Sequence, residues 1–312
     1  MKAYIFDPMW DELVTNDLLT QLKSAGVEPV VTKEIAPLSD CKEMFEDKEP
    51  KLLCLNPDYV GWKLPVDDYK DIPELVAILP ASTAFAWIDT SYADQNNIAV
   101  CDIVNFSTQA VAEWATTMML NVARQTPRLI KDNFPLDFDK DFVKYLGQDI
   151  KGKTAAIIGL GHIGSAIAER CKGLGMEVAY WSKSTKSDDY TYMELDDLFK
   201  KADVVFPTMA LNDESKKLIT NARLDSMKST AIFIAIVEHM FDEKHVLEMV
   251  RTGKLFGFGF EAPPASFDKY EGNVWAAPSY AWVAEGSMRN SIVAWVQNMV
   301  SATKNEFPNR VN

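Results

Sequence analysis

The sequence predicts an α/β protein with parallel sheets layered by helices. Three observations predict it. Short apolar runs alternate with stretches of helical periodicity along the chain. A length of 312 residues suits roughly two domains. One apolar run leads directly into a glycine-rich turn and an amphipathic stretch, the order of a strand, a phosphate-binding turn and a helix.

The N-terminal third reads as Ala3 to Phe6, an amphipathic stretch Trp10 to Ala25, then Pro29 to Thr32, Lys51 to Leu55, Leu75 to Pro80, Thr90 to Asn97 and Ile98 to Asp102. A long helix follows from Ser107 to Arg124, with Ser107 able to cap it and Val111, Trp114, Met118, Met119 and Val122 recurring at helical spacing. Pro127 to Lys153 reads as a charged loop. A second series of strands then runs through Thr154 to Ile158, Val178 to Trp181, Val204 to Phe206, Ile232 to Ile236, Gly257 to Phe260 and Val274 to Ala276. A helix from Glu285 to Thr303 closes the chain. No internal repeat or low-complexity tract interrupts it.

Composition narrows the function. Thirty-two basic against 45 acidic residues leave a net charge of −13, a field that repels phosphate backbones and anionic lipid. No nucleic-acid or membrane partner is expected. Four cysteines (Cys41, Cys54, Cys101, Cys171) lie far apart without metal-ligand spacing, so no metal site is expected, and reduced thiols in the cytoplasm are. The opening MKAYIFDPMW is not the pattern of a secretory leader, and no apolar run approaches the roughly 20 residues of a membrane helix. The three histidines, His162, His239 and His245, all lie in the C-terminal half.

The strongest motif is TAAIIGLGHIGSAIAERCKGLGMEVAYWSKST. Gly159, Gly161 and Gly164 follow a strand and open a helix, and a second strand comes about twenty residues later, the context of a dinucleotide-binding fingerprint. Gly159 would make the tight turn, Gly161 admit the pyrophosphate to the backbone, and Gly164 let helix and strand pack; with His162 and Ile163 these residues form the expected cofactor cradle. At the end of the second strand, an NAD site would present an acid to the ribose diol. Here Ser182, Lys183, Ser184 and Thr185 stand instead, which favours NADP(H) over NAD(H), although a solvated polar loop has the same composition.

The motifs NFSTQAVAEWATTMMLNVAR at 105–124, GLGHIGSAIAERCKGLGMEV at 159–178, ADVVFPTMALNDESKKLITNARLDSMK ending at Lys228 and GKLFGFGFE ending at Glu261 occur in the order of one family. From about Leu75 onward the chain resembles the D-isomer-specific 2-hydroxyacid dehydrogenases, which include glyoxylate/hydroxypyruvate reductases. The resemblance implies a flavodoxin-like substrate domain built from 1–103 and 285–312, an inserted Rossmann nucleotide-binding domain at 104–284, a homodimer, and a small-molecule substrate. It also puts Met209 and Glu261 beside the nicotinamide and its ribose, the second where the family usually has Asp.

The family's Arg, Glu and His align instead with Glu238, Ser266 and Ser279. A carboxylate at the first position would repel an anionic substrate, and proton transfer must come from another group. Where the family has a glycine-containing, carboxylate-binding turn, this chain has Ser82, Thr83, Ala84, Phe85, Ala86 and Trp87, while Tyr280 and Trp282 flank Ser279. These aromatics suit either a wide apolar cleft or domain packing. Two functions follow. One is an NADP(H)-dependent oxidoreductase acting on a carbonyl or 2-oxo acid compound through His239, with Glu238, Ser279 and Tyr280 around it. The other is a catalytically inactive NADP(H)-binding sensor or regulatory protein. His245 is expected to be structural.

Overall fold

The computed structural model describes residues 1–135, 142–237, 239–261 and 269–312. Glu238 and Ser266 lie outside them. The chain divides into two compact units, Met1–Ser107 with Glu285–Asn312, and Thr108–Ala284.

In the first unit the strands β1 (Lys2–Phe6), β2 (Glu28–Thr32), β3 (Lys51–Leu55), β4 (Leu75–Pro80) and β5 (Ala99–Val100) form a parallel sheet in the order β2-β1-β3-β4-β5. That is the flavodoxin-like order, with its switch point between β1 and β3. Alternate residues of β1 feed opposite faces: Ala3 and Ile5 join one core, Tyr4 and Phe6 the other. The stretch Trp10 to Ala25 is two helices, α1 (Trp10–Leu13) and α2 (Asn16–Ser24). Val14 is extended and the Thr15 hydroxyl accepts from the Leu18 amide, so a new N-cap interrupts the apolar periodicity. Two short helices, α3 (Lys42–Glu46) and α4 (Ser91–Gln95), complete this part of the unit.

The second unit opens with α5 (Thr108–Ala123), whose Ala112, Ala115, Met118, Met119 and Val122 are fully buried. Gln125 then takes a left-handed backbone, φ 53°, and Pro127 sits in the first turn of α6 (Thr126–Lys131). The stretch from Pro127 therefore starts as helix, not as loop, because proline lacks only an N–H that a first turn leaves unpaired anyway. The strands β6 (Thr154–Ile158), β7 (Glu177–Trp181), β8 (Thr191–Tyr192), β9 (Val204–Pro207), β10 (Ile232–Ala235), β11 (Gly257–Glu261) and β12 (Val274–Ala277) are all parallel. Their order, β12-β11-β10-β9-β6-β7-β8, reverses direction between β6 and β9. The helices α7 (His162–Gly173), α8 (Leu195–Lys201), α9 (Asn221–Asp225) and α10 (Glu243–Arg251) alternate with these strands in the chain. This is the Rossmann arrangement, in which a ligand is held at the carboxyl ends of the strands flanking the reversal.

The last helix, α11 (Glu285–Ala302), returns to the first unit. It inserts Trp295, 1% exposed, into the core beside Trp10, and the indole Nε1 donates to the Leu79 carbonyl at 2.7 Å. No helix among the described residues is long and apolar enough to cross a membrane.

Candidate functional site

The glycine turn lies at the carboxyl end of β6, beside the reversal point. Gly159 has φ +101°, a conformation that side chains resist, and a Cβ there would also meet Met209 Cγ at 2.8 Å. Its N–H donates to the Trp181 carbonyl at 2.8 Å, tying the turn to β7. Gly164 is required by packing: an added Cβ would sit 2.0 Å from the Gly159 carbonyl oxygen and 2.7 Å from the Thr208 hydroxyl. That hydroxyl donates to the Gly159 carbonyl at 2.6 Å. Thr208, from the end of β9, thus clamps the turn from across the switch point, a role the linear motif does not reveal.

Gly161 differs. Nothing lies within 4 Å of a Cβ built on it, so the protein's own packing does not demand glycine there. It is the N-cap of α7, and no side chain caps that helix end. Open space against uncapped helix amides fits a diphosphate, which brings the anion that a capping side chain would otherwise supply. An open groove of about 880 Å³ adjoins, lined by Gly161, His162 and Ser165 on one side and by Thr185, Lys186 and Ser187 on the other. Exposed His162 is the first residue of α7, Ile163 is half-buried behind it, and Met209 packs against Gly159.

The loop after β7 is exposed from Lys183 to Lys186. The Ser182 hydroxyl accepts from the Thr185 amide at 3.2 Å, which curls the loop. Lys183 pairs with Glu214 at 2.5 Å, and its hydrogen bond holds the Glu214 carboxyl below its ordinary range. Lys183 is therefore shared with an acid, whereas Lys186 lines the groove.

A second, smaller site lies at the carboxyl ends of β10 and β11. A cavity of about 50 Å³ is lined by Val237, His239, Phe241, Glu243, Phe260 and Glu261. His239 is exposed and has a left-handed backbone, φ 63°. A positive φ is costly for a residue with a Cβ and concentrates at functional sites. Glu261 is 9% exposed, and its Oε1 accepts from the Ala281 amide at 2.8 Å. The structure thus brings His239 and Glu261 to one cavity, and Glu261 anchors the segment carrying Ser279 and Tyr280. Both of those residues are exposed, Tyr280 at 58%. His245 sits on α10, where its Nε2 lies 3.0 Å from Asp225 Oδ1. Among the described residues no group of three acidic, histidine or cysteine side chains is placed to hold a metal ion.

Sequence comparison gives this arrangement a family. Residues 116–279, which include the fingerprint, β9, His239 and Glu261, match the NAD-binding domain of D-isomer specific 2-hydroxyacid dehydrogenases. A glyoxylate reductase of Thermococcus kodakarensis is 28% identical over 255 residues, 76% of this chain and 76% of that protein. Two solved structures share the fold. One is a glyoxylate reductase from Paecilomyes thermophila, with TM-score 0.79, 20% identity and coverage of 99% of this chain and 97% of that one. The other is a D-isomer specific 2-hydroxyacid dehydrogenase from Lactobacillus delbrueckii ssp. bulgaricus in its NAD-complexed form, with TM-score 0.76, 20% identity and full coverage of both chains. With the profile spanning more than half of the chain and the glycine turn clamped at the strand-order reversal, the protein belongs to the D-isomer-specific 2-hydroxyacid dehydrogenase family.

Proposed function

We propose that this protein is a nicotinamide-dependent oxidoreductase acting on a small carbonyl or 2-oxo acid compound, with a rebuilt proton-transfer site and a preference for NADP(H). The observation that carries the reading is Gly161: its open flank and uncapped helix amides form a cradle that an anion completes. When bound, the cofactor supplies the hydride. The residues of this chain do the rest. Gly159, Gly161, His162, Ile163 and Gly164 hold the diphosphate, and Thr208 keeps the turn in shape. Ser182, Ser184, Thr185 and Lys186 receive the ribose end, where no carboxylate stands at the strand end to repel a 2'-phosphate. Lys183 contributes when released from Glu214.

His239 moves the proton. It is a histidine at the carboxyl edge of the sheet, facing the same cavity as Glu261. Glu261, held by the Ala281 amide, orients the Ser279–Tyr280 segment. The alternative is a cofactor-binding sensor without turnover, favoured by the residues at the family's Arg, Glu and His positions, Glu238, Ser266 and Ser279. The free thiols suit a cytoplasmic enzyme, and a homodimer is the expected assembly.

Titration of the intrinsic tryptophan fluorescence with NADPH and NADH tests the cofactor. Saturable quenching, tighter with NADPH, is the expected result, and tighter NADH binding overturns the 2'-phosphate assignment. A panel of keto acids, aldehydes and ketones with NADPH then separates enzyme from sensor. Replacement His239→Gln lowers turnover by roughly 10² or more if His239 is the proton donor, and unchanged turnover removes it from that role.

A further inference from the structure

The first unit carries a built aromatic corner at the carboxyl edge of its sheet. Trp62 and Trp87 meet with ring centroids 6.2 Å apart and planes at 72°. Trp62 is 47% exposed, so core packing does not explain its position. Its backbone is nevertheless left-handed, φ 56°, directly after Gly61 at φ 61°. A bulky residue in that region costs energy that the surroundings must offset. Local hydrogen bonds offset it. The Trp62 amide donates to the Pro57 carbonyl at 2.9 Å, and its Nε1 donates to Asp58 Oδ1 at 2.7 Å. The Trp87 Nε1 donates to the Ala84 carbonyl at 2.7 Å. Backbone bonds Leu64 to Trp87 and Asp89 to Leu64, both 2.9 Å, stitch the two loops together.

The corner is linked to the switch point between β1 and β3, where α/β sheets bind ligands. Asn56, following β3, accepts from the Asp58 amide at 3.0 Å and donates from Nδ2 to Asp7 Oδ1 at 3.1 Å. Asp7 follows β1 and is 2% exposed. The Asp58 carboxylate bonded to the Trp62 indole N–H makes the ring faces richer in electrons. That environment repels a carboxylate and attracts an ammonium group.

We propose that the Trp62–Trp87 corner is a subsite for an organic ammonium group, so that the substrate carries a cationic amine. The word substrate rests on the oxidoreductase reading above; binding of the cation does not. The competing charge is Lys63, exposed and next in the chain to Trp62, which would draw an anion instead.

Three molecules of one shape decide between them: choline, its neutral carbon isostere 3,3-dimethylbutan-1-ol, and the anion 3,3-dimethylbutanoate. Each is titrated into the full protein at constant ionic strength, read by tryptophan fluorescence and calorimetry. Choline is expected to saturate, with the neutral isostere roughly tenfold weaker. Trp62→Ala is expected to weaken choline binding roughly tenfold, Trp62→Phe less, and Asp58→Asn by an intermediate factor. Far-UV circular dichroism and NADPH affinity remain unchanged in all three variants, because the nucleotide cradle belongs to the other unit. Equal binding of the neutral isostere overturns the proposal, as do stronger binding of the anion, choline affinity indifferent to Trp62→Ala, or no saturable choline signal. Choline binding by the unaltered protein without saturable NADPH binding overturns the oxidoreductase reading alone.

Discussion

Three glycines two and three positions apart look equivalent in the fingerprint, yet the structure gives them different tasks. Gly164 is confined by a carbonyl oxygen 2.0 Å from where its Cβ would be, whereas the equivalent point on Gly161 is open. The same substitution therefore has two outcomes. Gly164→Ala is expected to destabilise the fold by about 2–3 kcal/mol through overpacking, read by denaturant melts, and to abolish NADPH quenching. Gly161→Ala is expected to cost less than about 1 kcal/mol as an N-cap change while still weakening NADPH. Equal stability losses at both positions would remove Gly161 from the diphosphate site. Both glycines were legible in the motif. Thr208 was not, because its bond to Gly159 joins residues 49 apart in the chain, and nothing local in β9 announces it.

At the level of elements, hydrophobic patterning located most strands to within a residue or two, since burial on both faces leaves long apolar runs. It failed where a cap or a turn overrides apolar spacing, as at Thr15 between α1 and α2 and at Pro127 in α6. It also extended the strand at Ile98 to Asp102, of which Ala99 and Val100 form the strand, against Ala77 and Ile78, while Cys101 makes an isolated bridge to Arg310. The helix α11 shows what an element contributes beyond its propensity. Trp295 fills one core and bonds the Leu79 carbonyl, tying the C-terminal segment to a strand near the N-terminus. Trp295→Ala is expected to destabilise the protein by about 3–5 kcal/mol, and Trp295→Phe by less. A calorimetric scan that leaves the unfolding temperature of Trp295→Ala unchanged contradicts that placement.

At the scale of the whole molecule, a net charge of −13 is a standing self-repulsion that eases as carboxylates are protonated. Asp102 adds to this from inside. It is 5% exposed, its Oδ1 has no partner, and burial lifts its pKa from 3.8 to about 6. A raised carboxyl pKa means that the folded state prefers the neutral acid. Its contribution is complete below pH 3.8 and is lost as pH rises through about 6. Asp102→Asn is accordingly expected to stabilise the protein near neutral pH by about 1–2 kcal/mol, the full shift being discounted for solvent screening. It should have little effect below about pH 4. Urea melts across that range check the sign, and a loss of stability at neutral pH would contradict it. What the sequence by itself determined was the set of local signals: strands, the glycine fingerprint and the excess of acid. Each is written in neighbouring residues. Only the tertiary structure decided which distant groups meet: His239 with Glu261 at one cavity, Thr208 with Gly159, and Trp62 with Trp87 above Asp58. Those meetings depend on strand order and loop register, which follow from packing over the whole chain and leave no periodic mark in the sequence.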